Sequence, residues 1–157
     1  MAMQHTPLLM SKIIDRGAKV APNEEIVTAT ENGVRRQTYK ETRDRAHQLA
    51  HALADAGIAV GDRVGTFMWN GSRHLEAYQA CAGMGAVLHT LNIRLSEKDL
   101  EYIINHAEDQ IIIVDADILP LLEKLEGKMP TVRQVVIATE EGFEGWSTQL
   151  PNAVDYE

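Results

Sequence analysis

The sequence predicts an α/β fold with a wound, mostly parallel sheet flanked by helices and an N-terminal β-hairpin. Three observations carry this. From residue 61 onward, runs of strand character alternate with segments of helical period, the signature of a wound sheet. The runs QIIIVD (110–115) and QVVIA (134–138) are continuously apolar and β-branched, which suits strands covered on both faces. Upstream, two β-rich runs flank Asn32-Gly33, a pair that tolerates the positive φ of a tight hairpin turn.

Each element has a local cause. Over 7–20, Leu8, Leu9, Ile13 and Ile14 fall near helical spacing with Gly17 close to the end, predicting a short amphipathic helix. Residues 25–31 and 34–38 form the hairpin, which with the first helices is expected to make an antiparallel-edged start to the same unit. Thr38-Tyr39-Lys40-Glu41 has the spacing of a capping box, so a helix starts there. Ala46, Leu49, Ala50, Leu53 and Ala54 mark its apolar face. Arg43, Asp44, Arg45, His47 and Gln48 mark the solvent side, His51 is read as a further surface histidine, and Gly57 stops the helix. A strand over 63–68 leads through Trp69-Asn70-Gly71 into a helix over 72–84 rich in small residues, where Cys81 reads as a small buried hydrophobe. The alternation continues with β86–90, a helix over 97–107 behind the Ser96 cap signal, β110–115, a helix over 117–125 and β134–138. The stretch 139–157 is polar and without a clear period, and is read as an irregular tail.

Composition narrows the function. Fifteen Lys plus Arg against 23 Asp plus Glu give a formal net charge of −8, so nucleic acid is a poor partner. No apolar run approaches the ~20 residues of a bilayer span. A single cysteine cannot form an internal disulfide, and with no signal-peptide pattern at the N-terminus a cytoplasmic location is expected. No HExxH, paired CxxC or Asp-rich calcium loop occurs, so no metal site is assigned to this chain.

Motifs for chemistry are sparse. There is no GxxxxGK[ST] loop and no GxSxG elbow, and Gly83 and Gly85 follow a helix rather than a strand. Asp115 and Asp117 lie where strand ends face a ligand crevice and could hold a ribose or a magnesium ion, or simply favour a helix N-terminus. Asn92 and Arg94 follow the strand ending near Thr90. There Arg94 can meet a phosphate or form a surface pair with Glu97 or Glu101.

The order of these pieces is more specific than any one of them. TYKE opening a helix, GDRV opening a strand, the WN loop, GMGAVLHTLNIRLS and IINHAEDQIIIVD together resemble the N-terminal part of the adenylate-forming (AMP-binding) acyl-CoA synthetase family, from about Thr38 to Asp115. The HTLN variant and the HLEAYQACAGMGA run are most similar to the medium- and long-chain fatty acyl-CoA ligase branch. The resemblance implies a two-step reaction: carboxylate and ATP give an acyl-adenylate and pyrophosphate, then the CoA thiol displaces AMP. It implies ATP, Mg2+ and CoA as cofactors of the parent enzyme, with none held tightly by these residues. It also implies that Asn92 and Arg94 lie on the CoA side, although Ile93 stands where the family typically has proline.

The family's phosphate loop, its Y-G-x-T-E segment and its C-terminal lysine have no counterpart here, so no catalytic residue is assigned. Residues 1–157 are therefore expected to form an N-terminal subdomain, inactive alone, of an ATP-dependent fatty acid–CoA ligase. The alternatives are a stand-alone α/β binding or interaction domain, and a ligase for another carboxylic acid. If such a piece leaves QIIIVD and QVVIA uncovered, self-association into a homo-oligomer follows.

Overall fold

The structure is a computed structural model that describes residues 7–30, 33–139 and 148–157. Helix α1 spans Ser11–Val20, and strands β1 (Glu25–Thr30) and β2 (Gly33–Thr38) pair antiparallel from Glu25↔Thr38 to Thr30↔Gly33. Gly33 has φ +127°, while Asn32 lies outside the described residues. Helix α2 (Tyr39–Asp55) begins on the expected capping box. The Glu41 amide donates to Thr38 Oγ1 at 3.2 Å, and the Thr38 amide donates to Glu41 Oε2 at 2.8 Å. Gly57, at φ +85°, takes the left-handed conformation that ends the helix.

The wound part follows as β3 (Arg63–Phe67), α3 (Ser72–Met84), β4 (Val87–Thr90), α4 (Glu97–Ala107), β5 (Ile111–Asp115), a 3-10 turn (Ala116–Ile118), α5 (Leu119–Glu123) and β6 (Gln134–Ala138). The last strand, β7 (Val154–Asp155), comes from the stretch without a sequence period. It is short enough that two residues cannot show an alternation. Tertiary pairing to Val136 and Ile137 of β6 defines it.

Five parallel strands run in the order β4-β3-β5-β6-β7. Helix residues pack against both faces. Leu100 and Ile104 of α4 and Leu119 and Leu122 of α5 cover the face carrying Phe67, Ile112 and Val114. Leu49 and Leu53 of α2 with Ala77, Ala80 and Cys81 of α3 cover the face carrying Val64, Ile111 and Ile113. Buried Cys81 has its thiol pushed up to about 12 by desolvation, so it packs as an inert small side chain.

Four expectations are corrected. The hairpin does not edge the parallel sheet. It forms its own two-stranded sheet, and it meets the rest through Gln37, whose amide donates to Glu76 Oε1 of α3 at 2.8 Å. Helix α1 starts only at Ser11, so Leu8 and Leu9 precede it, and these two and Ile13 are exposed. Its inner side is Ser11, Ile14, Gly17 and Ala18, and a side chain at Gly17 would meet the Tyr39 ring at 3.2 Å, so close approach decided this face rather than hydrophobicity. Arg45 is not on the solvent side, because its guanidinium reaches the buried Glu76. Finally, Ile111–Val114 of β5 and Val135–Ala138 of β6 are buried within the chain, so these two apolar runs are not left uncovered.

Candidate functional site

The strand order locates the crevice. The chain leaves β3 through α3 on one face of the sheet and leaves β5 through α5 on the other, so the direction of winding switches between β3 and β5. Ligands of wound sheets bind outside the carboxyl ends of strands at such a switch. Residues just beyond β4, β3 and β5 form this rim.

Trp69, two residues past β3, is its best-anchored member. Its amide donates to Asp115 Oδ2 at 2.7 Å, and its indole Nε1 donates to Asp117 Oδ2 at 2.7 Å. Its carbonyl lies 3.2 Å from His74 Nδ1. A carbonyl only accepts, so Nδ1 carries the proton, and Nε2 accepts from Thr66 Oγ1 at 3.0 Å. Desolvation holds His74 below the usual histidine range, against the opposing pull of the Trp69 carbonyl, and the ring is a neutral spacer between β3 and α3. Asp115 and Asp117 therefore span the switch point from β5 to the residue after β3.

Asn92 and Arg94 sit at the neighbouring strand end. Leu91 is buried and donates its amide to Thr66 of β3 at 2.9 Å. The Arg94 amide donates to Asn92 Oδ1 at 3.0 Å and the Leu95 amide to the Asn92 carbonyl at 3.1 Å. This tight turn fixes the loop without proline and leaves both side chains exposed, with Ile93 and Leu95 packed against the core below. Among the described residues Arg94 makes no ion pair with Glu97 or Glu101. Glu97 pairs with Lys128 at 2.7 Å.

Two further polar clusters lie away from the rim loop. His89 of β4 donates from Nδ1 to both oxygens of buried Asp109, at 3.0 and 2.8 Å, beside Gly65, where a Cβ would meet Asp109 Oδ2 at 3.2 Å. Burial pushes the Asp109 carboxyl up, against the opposing pull of His89. The second cluster centres on Glu76, which is fully buried. It accepts from Gln37 at 2.8 Å, Arg45 Nε at 2.8 Å and the Tyr156 hydroxyl at 2.7 Å. Burial, then the Glu76 carboxylate, push the Tyr156 phenol far up, so it remains a donor. Glu157 is gripped by Arg45 through Nη1 and Nη2 at 2.9 and 3.1 Å and by Arg73 Nε at 3.0 Å. An open groove of about 540 Å³ with Arg35, Arg36, Arg45 and Arg73 in its lining lies over this cluster. It is a built-up ion-pair network, with Arg36 on Glu25 and Arg45 and Arg73 on Glu157.

Sequence reasoning singled out Asn92, Arg94, Asp115 and Asp117, and the structure brings all four to one rim. It missed Trp69, His74 and Glu76 as site or network members. An aromatic residue directly after a predicted strand was a usable signal for Trp69. Nothing in the spacing of Gln37, Arg45, Glu76 and Tyr156 announces their convergence.

The model of the AMP-binding enzyme family matches residues 14–156. The chain belongs to this family. It is 43% identical over 145 residues to the long-chain-fatty-acid–CoA ligase of Thermus thermophilus, covering 92% of this chain and 27% of that one. It is 35% identical over 156 residues to the medium-chain-fatty-acid–CoA ligase of Ectopseudomonas oleovorans, covering 99% and 28%. The chain thus spans a little over a quarter of the length of these AMP-binding relatives. Among solved structures, a coronafacic acid ligase from Pectobacterium brasiliense superposes with TM-score 0.81 at 19% identity, covering 96% of this chain and 28% of that one. The anthranilate CoA ligase AuaEII superposes with TM-score 0.76 at 24% identity over 87% and 26%. These likenesses establish the AMP-binding fold.

Among the described residues no three His, Cys, Asp or Glu side chains converge on a common point, and Asp115 and Asp117 are engaged with Trp69. No phosphoryl step is therefore assigned to these AMP-binding-family residues. No helix among the described residues is long and apolar enough to cross a membrane.

Proposed function

We propose that the chain is the N-terminal scaffold of an ATP-dependent fatty acid–CoA ligase, and that its Asn92–Arg94 turn forms part of the approach for CoA. The observation that carries this reading is the 43% identity to a long-chain-fatty-acid–CoA ligase across 92% of the chain. Relatives at similar identity include a 3-methylmercaptopropionyl-CoA ligase from Ruegeria pomeroyi, so the shared chemistry is thioester formation on an acid and the fatty acid is the narrower claim.

In this reading the parent activates a carboxylate with ATP and Mg2+ and passes the acyl group to CoA. The residues here contribute no group to the phosphoryl transfer. They build one wall of the site, keep the strand ends in register and present an exposed arginine on a fixed turn, suited to a phosphate-bearing partner. A buried, unactivated Cys81 is consistent with no covalent role for the chain.

Pyrophosphate release with ATP, Mg2+, CoA and an octanoate-to-palmitate series tests it. The chain alone should give none above background. A chimera carrying these residues in place of the matching segment of the Thermus ligase should turn over. Turnover by the chain alone would overturn the scaffold role. A chimera that uses only a different acid class would overturn the fatty-acid assignment.

A further inference from the structure

The side of α1 that faces away from the core is apolar and basic at once. Ser11, Ile14 and Ala18, spaced three and four residues apart, form the inner side, with Gly17 against the Tyr39 ring. The outer side carries Ile13 and Val20, seven residues apart and 64% and 63% exposed. Leu8, Leu9 and Met10 extend it and are exposed too. They are held to the helix by a turn in which the Lys12 amide donates to the Leu9 carbonyl at 3.1 Å and the Ile13 amide to the Met10 carbonyl at 3.0 Å. Lys12, Arg16 and Lys19 share this outer side and are exposed. Lys12 donates to the Pro7 carbonyl, and among the described residues none of the three has an acidic partner. The one acid of the helix, Asp15, lies 3.7 Å from His47 of α2.

Charge decides what this surface fits. Residues 7–20 hold three basic side chains and one acidic, in a chain whose net charge is −8. A second copy of the chain is a poor occupant, because a two-fold contact through α1 would set Lys12, Arg16 and Lys19 against their own copies with no outward acid to offset them. The outer side is also not part of a hollow: neither the arginine-lined groove nor the one between β1 and α3 is lined by residues of α1. Aliphatic side chains that protrude beside cations match a surface that is anionic outside and apolar beneath. Headgroup phosphates take the cations at the ends of their flexible stems, and the acyl boundary takes the aliphatic groups without a shaped pocket. Repulsion between such a surface and the acidic remainder of the chain leaves α1 as the point of contact.

We infer that residues 8–20 are an interfacial anchor that lays α1 on an anionic phospholipid surface, with Leu9, Ile13 and Val20 entering the acyl boundary and Lys12, Arg16 and Lys19 meeting headgroup phosphates. Gly17 on Tyr39 and Asp15 beside His47 couple the anchor to α2, so the rest of the fold is carried to the surface with it. The anchor goes beyond the ligase reading and does not depend on it.

Co-sedimentation of the whole chain with lipid vesicles tests the anchor. Vesicles of equal parts phosphatidylcholine and phosphatidylglycerol should carry the chain down, pure phosphatidylcholine vesicles should not, and added sodium chloride should release it. Lys12→Gln, Arg16→Gln and Lys19→Gln combined should weaken partitioning about a hundredfold. Ile13→Asp should weaken it about tenfold or more. Val60→Asp, at an exposed apolar residue outside α1, should leave it unchanged. These changes fall on exposed side chains, and an unchanged urea midpoint establishes that each variant is folded. Failure to bind the anionic vesicles, equal binding to pure phosphatidylcholine, or parent-like binding by the folded triple variant would each overturn the anchor. So would sedimentation equilibrium in which Ile13→Asp dissociates a dimer of the free chain, since the face would then belong to a second copy. Vesicle binding alongside a chimera that never turns over removes the ligase reading and keeps the anchor. An active chimera alongside a chain that ignores anionic vesicles does the reverse.

Discussion

The Glu76 cluster and the Trp69 rim are both built from acids that accept hydrogen bonds from distant parts of the chain, but they differ in what is left to solvent. Glu76 is sealed, and three donors from β2, α2 and the segment after β7 converge on it. Asp115 and Asp117 also converge on one residue, but that residue keeps an open face. A buried charge whose partners are all satisfied is expensive to disturb and offers nothing to a ligand. A half-exposed one tolerates change and can still bind. The difference separates a part of the molecule that is sealed and ties elements together from a part that keeps a face open to solvent.

The largest way to break this comparison is to remove the sealed acid. Glu76→Ala leaves the Arg45 guanidinium, the Gln37 amide and the Tyr156 hydroxyl without their common acceptor, and should cost about 3–5 kcal/mol in urea unfolding. A loss below about 1 kcal/mol would show that water reaches the site and that the seal is not what distinguishes it.

A smaller effect is expected at Gly65, under the His89–Asp109 pair. A Cβ there would sit 3.1 Å from Ile112 Cγ1 and 3.2 Å from Asp109 Oδ2. Gly65→Ala should destabilise by about 1–3 kcal/mol through overpacking, again by urea unfolding. A neutral result would place the pair among groups free to move aside.

At the rim, Asp117→Ala removes one hydrogen bond to a half-exposed ring and should cost about 1 kcal/mol or less. The same change should shift Trp69 emission and raise its anisotropy decay rate, because the indole loses its anchor. If stability fell as far as in Glu76→Ala, the rim would belong with the sealed cluster and the contrast would fail.

The smallest effect concerns acid. Burial pushes the Glu157 carboxyl up, but hydrogen bonds from Arg45 and Arg73 overcome this and hold it below its ordinary 4.5. Hydrogen bonds from Arg43 and Lys40 hold Asp44 at about 2. Groups whose folded value is depressed contribute stability above their ordinary range and lose it as pH falls through the folded value. Asp109 has the opposite sign: its raised value costs stability above the ordinary range and the cost is relieved on acidification. The urea midpoint should therefore fall from pH 4.5 toward pH 2, and Glu157→Gln should flatten that limb. An unchanged limb in the variant would mean that Asp44 and the other exposed acids account for it alone.

Much of the fold was legible because its causes are local. Thr38 and Glu41 lie three residues apart and close their capping box within one turn. Gly57 ends α2 by its own backbone freedom. The continuous β-branched run of β5 demands cover on both faces wherever it lies. The candidate rim was half legible, since Asn92, Arg94, Asp115 and Asp117 follow strand ends that sequence could place. The inward side of α1 was not, because it turns on how closely the Tyr39 ring approaches Gly17, which no periodicity records.

By itself, then, the sequence determined the alternation of strands and helices, the buried character of β5 and β6, and membership in the AMP-binding enzyme family. The tertiary structure alone decided that the hairpin stands apart from the parallel sheet, that Val154–Asp155 becomes its fifth strand, and that Trp69 is clamped across the switch point. The physical reason is range. Caps, turns and burial patterns are set by neighbours within a few residues. Strand order, the acceptor chosen by Arg45 and the acids that hold Trp69 depend on groups 31, 46 and 48 positions away in sequence, which meet only once the chain has folded.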